Sequence, residues 1–530
     1  MSAKSRYDYL SSDRSQFLNE AEEASKLTLP YLIRGHDDYS KGMKQLTTPW
    51  QSVGAKGSVA LAAKLSLSLL PPQTSFFKLQ VDETQLGEEF GPQVKSELDL
   101  SFAKIERTIL EAIAASGDRV VVHQALLHLV VGGNALIFMG KAGLKLFPLN
   151  RFVVERDGNG QVIEIVTRER ISKKLIAKYL PEDHVEEEET SAVDSDQTTD
   201  GDKECDVYTH VTRQNNRYIW HQEVYGNVLP GTESKAPVDS TPWLPLRFNT
   251  VDGEAYGRGR VGQFLGDLKS LEALSQAIVE GSAAAAKVVF TVSPSSTTKP
   301  ATLAKAGNGA IVQGRPDDIG VVQVGKTADF GTAYEMMGLL ERRLNEAFLV
   351  MNVRNAERVT AEEVRMTQME LESQLGGLFG LLTNEFLIPY LNRILNTFQK
   401  SGQIPRIPKQ LVKPTIVAGI NALGRGQDRD SLGQFLQTIA QTMGPEAIGQ
   451  YINPEEVVKR LAAAQGIDVL NLVKTMDERQ NEQQQAQAQA QEMEMTKQTG
   501  QIMGSPMMDP TKNPELGMMP EEGGQQPPTE

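Results

Sequence analysis

The stretch from Ala255 to Phe290, AYGRGRVGQFLGDLKSLEALSQAIVEGSAAAAKVVF, decides how the chain is read. Gly257, Gly259 and Gly262 spell G-x-G-x-x-G ahead of a helix-forming run. In nucleotide-binding folds such glycines let the backbone approach a pyrophosphate at a helix N-terminus, and an acid about twenty positions on takes the ribose. Glu280 stands near that place. The fingerprint, however, belongs directly after a buried strand, and here WLPLRFNT (Trp243–Thr250) is separated from Gly257 by the polar link Val251–Tyr256. No β-branched run follows to close a βαβ unit. The alternative is a flexible entry into a long helix, in which Phe264, Leu268, Leu271, Leu274 and Ile278 form one apolar stripe. Asp267, Glu272, Gln276 and Glu280 fall on other faces, and Ala283–Ala286 admits a neighbouring backbone closely.

Downstream, the strand candidates KVVFTV (Lys287–Val292), GAIVQ (Gly309–Gln313) and GVVQVG (Gly320–Gly325) are separated by Pro, Gly and Asp turns. A second helix is predicted over Thr332 to Val350, with Met337, Leu340, Leu344 and Phe348 on one side. Two long helices thus bracket a small β unit. Thr360 and Glu363 form a capping box, in which the threonine oxygen accepts from an orphan backbone N–H and the glutamate reaches back. From there to Lys400 a helix would run about 60 Å unless bent at Gly376-Gly377, Gly380 or Pro389, and Pro389 favours a bend. The segment Met351–Val359 is then a loop bearing Asn352, Arg354, Asn355 and Arg358. These side chains suit weak contact with phosphates, or ion pairs with Glu341, Glu357 or Glu362.

Upstream, helices are expected from about Ser12 to Leu70, turning near Gly35 and stopped by Pro71-Pro72, and again over Gln93–Ser116, where Leu98, Phe102, Ile105, Ile109 and Ile113 repeat every three or four residues. From Ala142 to Phe248 the pattern changes to short alternating runs, with Asp157-Gly-Asn-Gly160 as a hairpin turn. After Pro405 shorter helices are expected to about Glu478, one of them with Asn453 as N-cap, Pro454 at its first position and Gly466 past its end. Residues 479–530, rich in Gln, Met, Pro and Gly without a stripe, read as a disordered tail. The fold class is therefore α+β, mainly α.

The net charge of −14 is concentrated, since Glu182–Asp206 holds twelve acids against Lys203 alone. That segment has the composition of a solvated excursion, and its spacing is not that of a calcium loop. A single cysteine, Cys205, excludes disulfides within the chain and fits a reducing compartment. The polar N-terminus lacks the apolar core of a signal peptide. The most apolar window, Val120–Gly140, contains His123, Gln124, His128 and Asn134, which favours burial against protein over a membrane span. His123 and His128 are five apart and do not share a helix face. H-E-x-x-H, G-x-S-x-G, C-x-x-C and G-x-x-x-x-G-K-[ST] are all missing. No catalytic, cofactor-binding or metal-binding residues are assigned.

ERVTAEEVR (Glu357–Arg365), ELESQLGGLFGLLTNEFLIPYLNRI, GQIP (Gly402–Pro405), WQSVGAKGSVALAAKLSLSLLPPQTSFFKL (Trp50–Leu79) and YGRGRVGQFLGDLKSLEALSQA occur in an order that resembles the portal proteins, or head-to-tail connectors, of short-tailed podovirus and autographivirus-type bacteriophages. The likeness runs from about Ser12 to Gln480 and leaves out the acidic segment and the tail. It implies a wing over 1–255, a first stem helix over 256–287, a clip over 288–331, a second stem helix over 332–350, a channel loop over 351–359, a long kinked wing helix over 360–404, a helical crown over 405–478 and the tail over 479–530. It implies a ring of twelve subunits at one vertex of the virion capsid, assembled in the host cytoplasm, through which double-stranded DNA enters and leaves. The implied partners are the terminase large subunit, major capsid and scaffolding proteins, tail adaptor proteins and internal core proteins.

On this resemblance Asn352, Arg354, Asn355 and Arg358 line the channel, Thr360 and Glu363 cap the helix that follows, and the Phe264–Ile278 stripe packs the stem. The composition agrees, because a channel for moving DNA should not grip it and the chain has no basic run or basic stripe with interleaved aromatics. The competing readings are a nucleotide-binding enzyme using Gly257–Gly262 and a structural assembly scaffold. Heptads are not sustained enough to favour a coiled-coil scaffold.

Overall fold

The computed structural model describes residues 2–34, 46–71, 75–81, 92–176, 204–286, 289–295, 299–307, 319–322, 327–350, 375–405, 412–416 and 425–444, with single positions between 311 and 317 and at 452 and 457. Asn352, Arg354, Asn355, Arg358, Thr360 and Glu363, nearly all of the acidic segment, the Asn453 cap and the tail lie outside them. The chain forms two compact units, Met1–Leu423 and Gly424–Glu530.

The first unit opens with α1 (Ala3–Lys26), earlier than the Ser12 start expected from sequence. The reason is local: the Ser2 hydroxyl accepts from the backbone N–H of Ser5 and caps the first turn. Tyr7, Leu10, Arg14, Leu18 and Ala21 then recur at helical spacing and are all buried. α2 (Val53–Leu69) and α3 (Pro92–Ala115) fall where apolar periodicity puts them. The apolar window is divided between α4 (Asp118–Gly132) and β2 (Asn134–Gly140) by Gly133, whose φ of +75° is the left-handed cap that ends the helix. Among the described residues no helix is long and apolar enough to cross a membrane.

β1 (Phe77–Val81) precedes α3, and two larger sheets follow. In one, β2 lies between β3 (Gly143–Pro148) and the wholly buried β10 (Trp243–Arg247). In the other, β4 (Phe152–Arg156), β5 (Val162–Ser172), β6 (Glu204–Gln214) and β7 (Arg217–Val224) run antiparallel, with β8 (Asn227–Val228) and β9 (Ser234–Pro237) both on β7. The β4–β5 turn is the expected one: Asp157 Oδ1 accepts from the N–H groups of Asn159 and Gln161, and Gly160 takes φ +76°. Asp206, the last acid of the charged segment, belongs to β6 and pairs with Arg168 and Arg170 of β5. A four-residue helix, α5 (Lys173–Ile176), follows β5.

After β10 come α6 (Arg260–Gln263) and α7 (Leu265–Ala286), so the expected continuous helix breaks at Phe264. β11 (Val289–Val292) and β12 (Ile319–Val322) pair antiparallel, with α8 (Pro300–Lys305) between them. Ile311 and Gln313, expected in a strand, are not in one. α9 (Thr327–Ala347) returns alongside α7. The later helix carries an irregularity just before Pro389. It runs helically from 375, opens into a π-turn over Thr383–Leu387, and continues as α10 (Ile388–Lys400). Proline lacks an N–H and crowds the carbonyl four residues back, and the wider turn just before it accommodates both.

Helices alone were expected after Pro405, yet β13 (Val412–Ile416) is a strand paired with β1. Its partner β1 lies more than three hundred residues earlier, where local patterning does not reveal it. In the second unit the described element is α11 (Arg425–Met443).

Candidate functional site

The glycine turn is filled by protein. Asn134, the first residue of β2, donates from Nδ2 to the Gly257 carbonyl and accepts the Gly257 N–H at Oδ1, both at 2.7 Å. The Arg258 N–H goes to the Asn249 carbonyl at 2.9 Å. A Cβ on Gly259 would stand 2.5 Å from the Val131 carbonyl oxygen, and one on Gly257 would stand 2.8 Å from the Gly133 carbonyl. The glycines therefore let two backbone segments cross, the end of α4 and the entry to α6. The Gly257 and Arg258 amides are thus already used within the chain.

A polar cavity of about 540 Å³ beside the turn is lined by Asp157, Asp252 and Glu254 as well as Arg156 and Arg247. Both arginines are engaged by Glu385 of the π-turn: its carboxylate accepts the Arg247 N–H at 2.9 Å, Arg247 Nη2 at 2.7 Å and Arg156 Nη1 at 3.4 Å. Burial lowers the Arg156 pKa to about 10 against the pull of Glu385. Neither cation is left for a nucleotide. Sequence reasoning missed this ion cluster, because a glutamate within an amphipathic helix reads as a solvated residue.

What the turn launches is the α7–α9 pair. Leu268 and Leu271 are fully buried, Phe264 and Leu274 are partly buried against the same core, and Ile278 is also partly buried. From α9, Leu340 and Leu344 are buried, as is Phe348 just past its end. The root is held by polar contacts too. Glu272 accepts the N–H groups of Trp50 and Gln51, Lys269 pairs with Glu23 at 2.5 Å, and Asp267 with Arg343 at 3.3 Å. Gly54 and Gly57 of α2 admit Leu268 and Phe348, since a Cβ at Gly57 would lie 2.6 Å from the Phe348 ring.

Beyond the root the pair is solvated. Val279 is 51% exposed on α7, and Tyr334, Met336 and Leu339 are 67%, 53% and 54% exposed on α9. Both helices of the pair therefore present apolar side chains to solvent.

The end of α9 is fixed where the expected loop begins. Leu349 adopts φ +55°, Arg260 donates to the Ala347 carbonyl from Nε and Nη2 at 3.1 and 3.0 Å, and the Lys64 ammonium donates to the Leu349 carbonyl. Two cations thus cap the negative end of the helix. Burial pushes both their pKa values down. The structure places this departure point only: Asn352, Arg354, Asn355, Arg358, Thr360 and Glu363 are outside the described residues.

The sequence family described as bacteriophage head to tail connecting protein matches residues 1–471. The chain belongs to that family. It is 37% identical over 488 residues to the portal protein of Enterobacteria phage T3, covering 90% of this chain and 89% of that protein. It is 36% identical over 491 residues to the portal protein of Escherichia phage T7, covering 91% and 89% respectively. The portal protein of Enterobacteria phage SP6 is 30% identical over 440 residues, covering 81% of this chain and 82% of its own. The glycine turn, the α7–α9 pair and the α10 helix all lie within the matched span of this connector chain.

Proposed function

We propose that the chain is the portal subunit of a short-tailed bacteriophage, one member of a closed ring at a single capsid vertex through which double-stranded DNA is packaged and ejected. The observation that carries this reading is a helical hairpin that buries its root and leaves apolar side chains exposed beyond it, in a chain whose connector family spans 1–471. A head-to-tail ring needs two different faces on each subunit, and two antiparallel helices with unlike outer faces supply them. In this reading α7 and α9 are the stem, β11, α8 and β12 belong to the clip, the 351–359 segment is the channel loop, and the two large sheets with α1–α4 form the wing. The crown is 405–478, including β13 and α11.

The partners follow from position: terminase on the clip during packaging, tail adaptors there afterwards, and capsid, scaffolding and internal core proteins around the wing and crown. The protein is read as a non-enzyme, and the occupied glycine turn supports that against the nucleotide-binding alternative. The reading is tested by assembling heads in a host expressing a gold-labelled copy of the chain. Label at one vertex of DNA-filled heads, with no ATP hydrolysis by the isolated chain, is the expected result. Label spread over all vertices, or hydrolysis lost on Gly257→Ala, would contradict it.

A further inference from the structure

The wing sheet carries a cluster that the portal reading does not use. His210 on β6 stands directly opposite His221 on β7 in the antiparallel register, and Glu223 is two residues on from His221, so strand alternation puts all three side chains on one face. One ligand atom from each lies within 4.8 Å of the other two. The imidazoles meet edge to face at 5.5 Å, Glu223 is buried, and the two histidines are largely covered. Glu164 of β5 holds His210 Nε2 at 2.6 Å from outside the trio, the kind of carboxylate that orients metal-bound imidazoles. An open cavity of about 690 Å³, lined also by Lys4, Cys205 and Tyr208, reaches the trio at Glu223.

We propose that His210, His221 and Glu223 form a binding site for a divalent first-row transition ion of the zinc class, with the fourth position open to water from the cavity. Two imidazoles and one carboxylate are a donor set that suits Zn²⁺ over calcium or magnesium. One pair of donors is already close, and the trio, all within 4.8 Å of one another, would draw together around the ion. His221 Nε2 and Glu223 Oε1 stand 2.8 Å apart, a hydrogen-bond distance. Metal bonds of about 2.0 Å meeting near the tetrahedral angle would set that separation at roughly 3.3 Å. The ion would staple β6 to β7. It would also reach α1, because Glu223 accepts the Ala3 N–H at 2.6 Å and Glu164 accepts from Arg6. The site goes beyond the portal reading and does not depend on it.

The test uses the full chain, stripped with a chelator and dialysed, then titrated with Zn²⁺ for stoichiometry and with Co²⁺ for visible d–d absorption. One ion per chain, Co²⁺ bands of a nitrogen- and oxygen-ligated site, and a Zn²⁺-dependent rise in melting temperature are expected. His210→Ala and His221→Gln should each weaken binding at least about tenfold and remove the thermal shift; His221→Gln also keeps a hydrogen-bonding group beside Glu223 on β7, so that the fold is retained. Uptake well below one ion per chain overturns the proposal. So does equal uptake in the double variant His210→Ala/His221→Gln, which would put the ion elsewhere, such as the acidic 182–206 segment.

Discussion

The β4–β9 sheet with α1 and the α7–α9 hairpin use the same kinds of residue to opposite ends. Under α1 the polar groups are turned inward and shared: buried Arg14 donates to the Tyr7 hydroxyl and to the carbonyls of Leu149 and Phe152, and Arg6 to Glu155 and Glu164. On the hairpin it is apolar groups that are turned outward, with Tyr334, Met336 and Leu339 exposed on α9. α1 finds its partners within one chain. Beyond its root the hairpin does not, and that difference is what an assembling subunit requires: a body stable alone and a surface that waits for neighbours.

The comparison breaks most readily at Glu385. Glu385→Ala should destabilise the isolated chain by about 3–5 kcal/mol, because it leaves Arg247 and Arg156 buried without their carboxylate. Chemical denaturation measures it, and a loss below about 1 kcal/mol would mean the cluster is not holding the helix to β10. Next is Gly259→Ala, whose new methyl meets the Val131 carbonyl. A cost of about 1–3 kcal/mol is expected from overpacking. A neutral result would reopen the turn as a ligand site.

The hairpin should behave differently. Tyr334→Asp with Leu339→Asp should change monomer stability by no more than about 0.5 kcal/mol, since both side chains are exposed, while abolishing assembly. Sedimentation separates the two effects, and normal rings from the double variant would remove the exposed face from the interface. The smallest physical effect is expected at the loop. Asn352→Ala, Arg354→Ala and Asn355→Ala together should leave folding and rings intact and impair only packaging or retention of DNA, as a weak sequence-independent collar would. Full-length genomes held as well as in wild type would exclude the loop from the channel.

Apolar periodicity made the hairpin legible, because Leu268, Leu271, Leu340 and Leu344 recur at helical spacing and are the positions buried. The glycine triplet was legible as a flexible entry. Its occupant Asn134, more than a hundred residues earlier, was not. Pairing of β1 with β13 was hidden for the same reason, and Glu385 because its two arginines come from separate strands. The histidine pair did leave a signal. His210 and His221 are equidistant from Asn215-Asn216, the two-residue turn of the β6–β7 hairpin, where Asn215 takes φ +53°. Reading that turn first would have placed the two imidazoles opposite each other.

The central claim is that the hairpin makes a single chain incomplete and a closed ring complete. Electron micrographs of the purified full-length chain at moderate salt test it directly. The account predicts end-on views of a ring with a central hole and side views with a narrow stem. A population of monomers and dimers at every salt and protein concentration tried would contradict it.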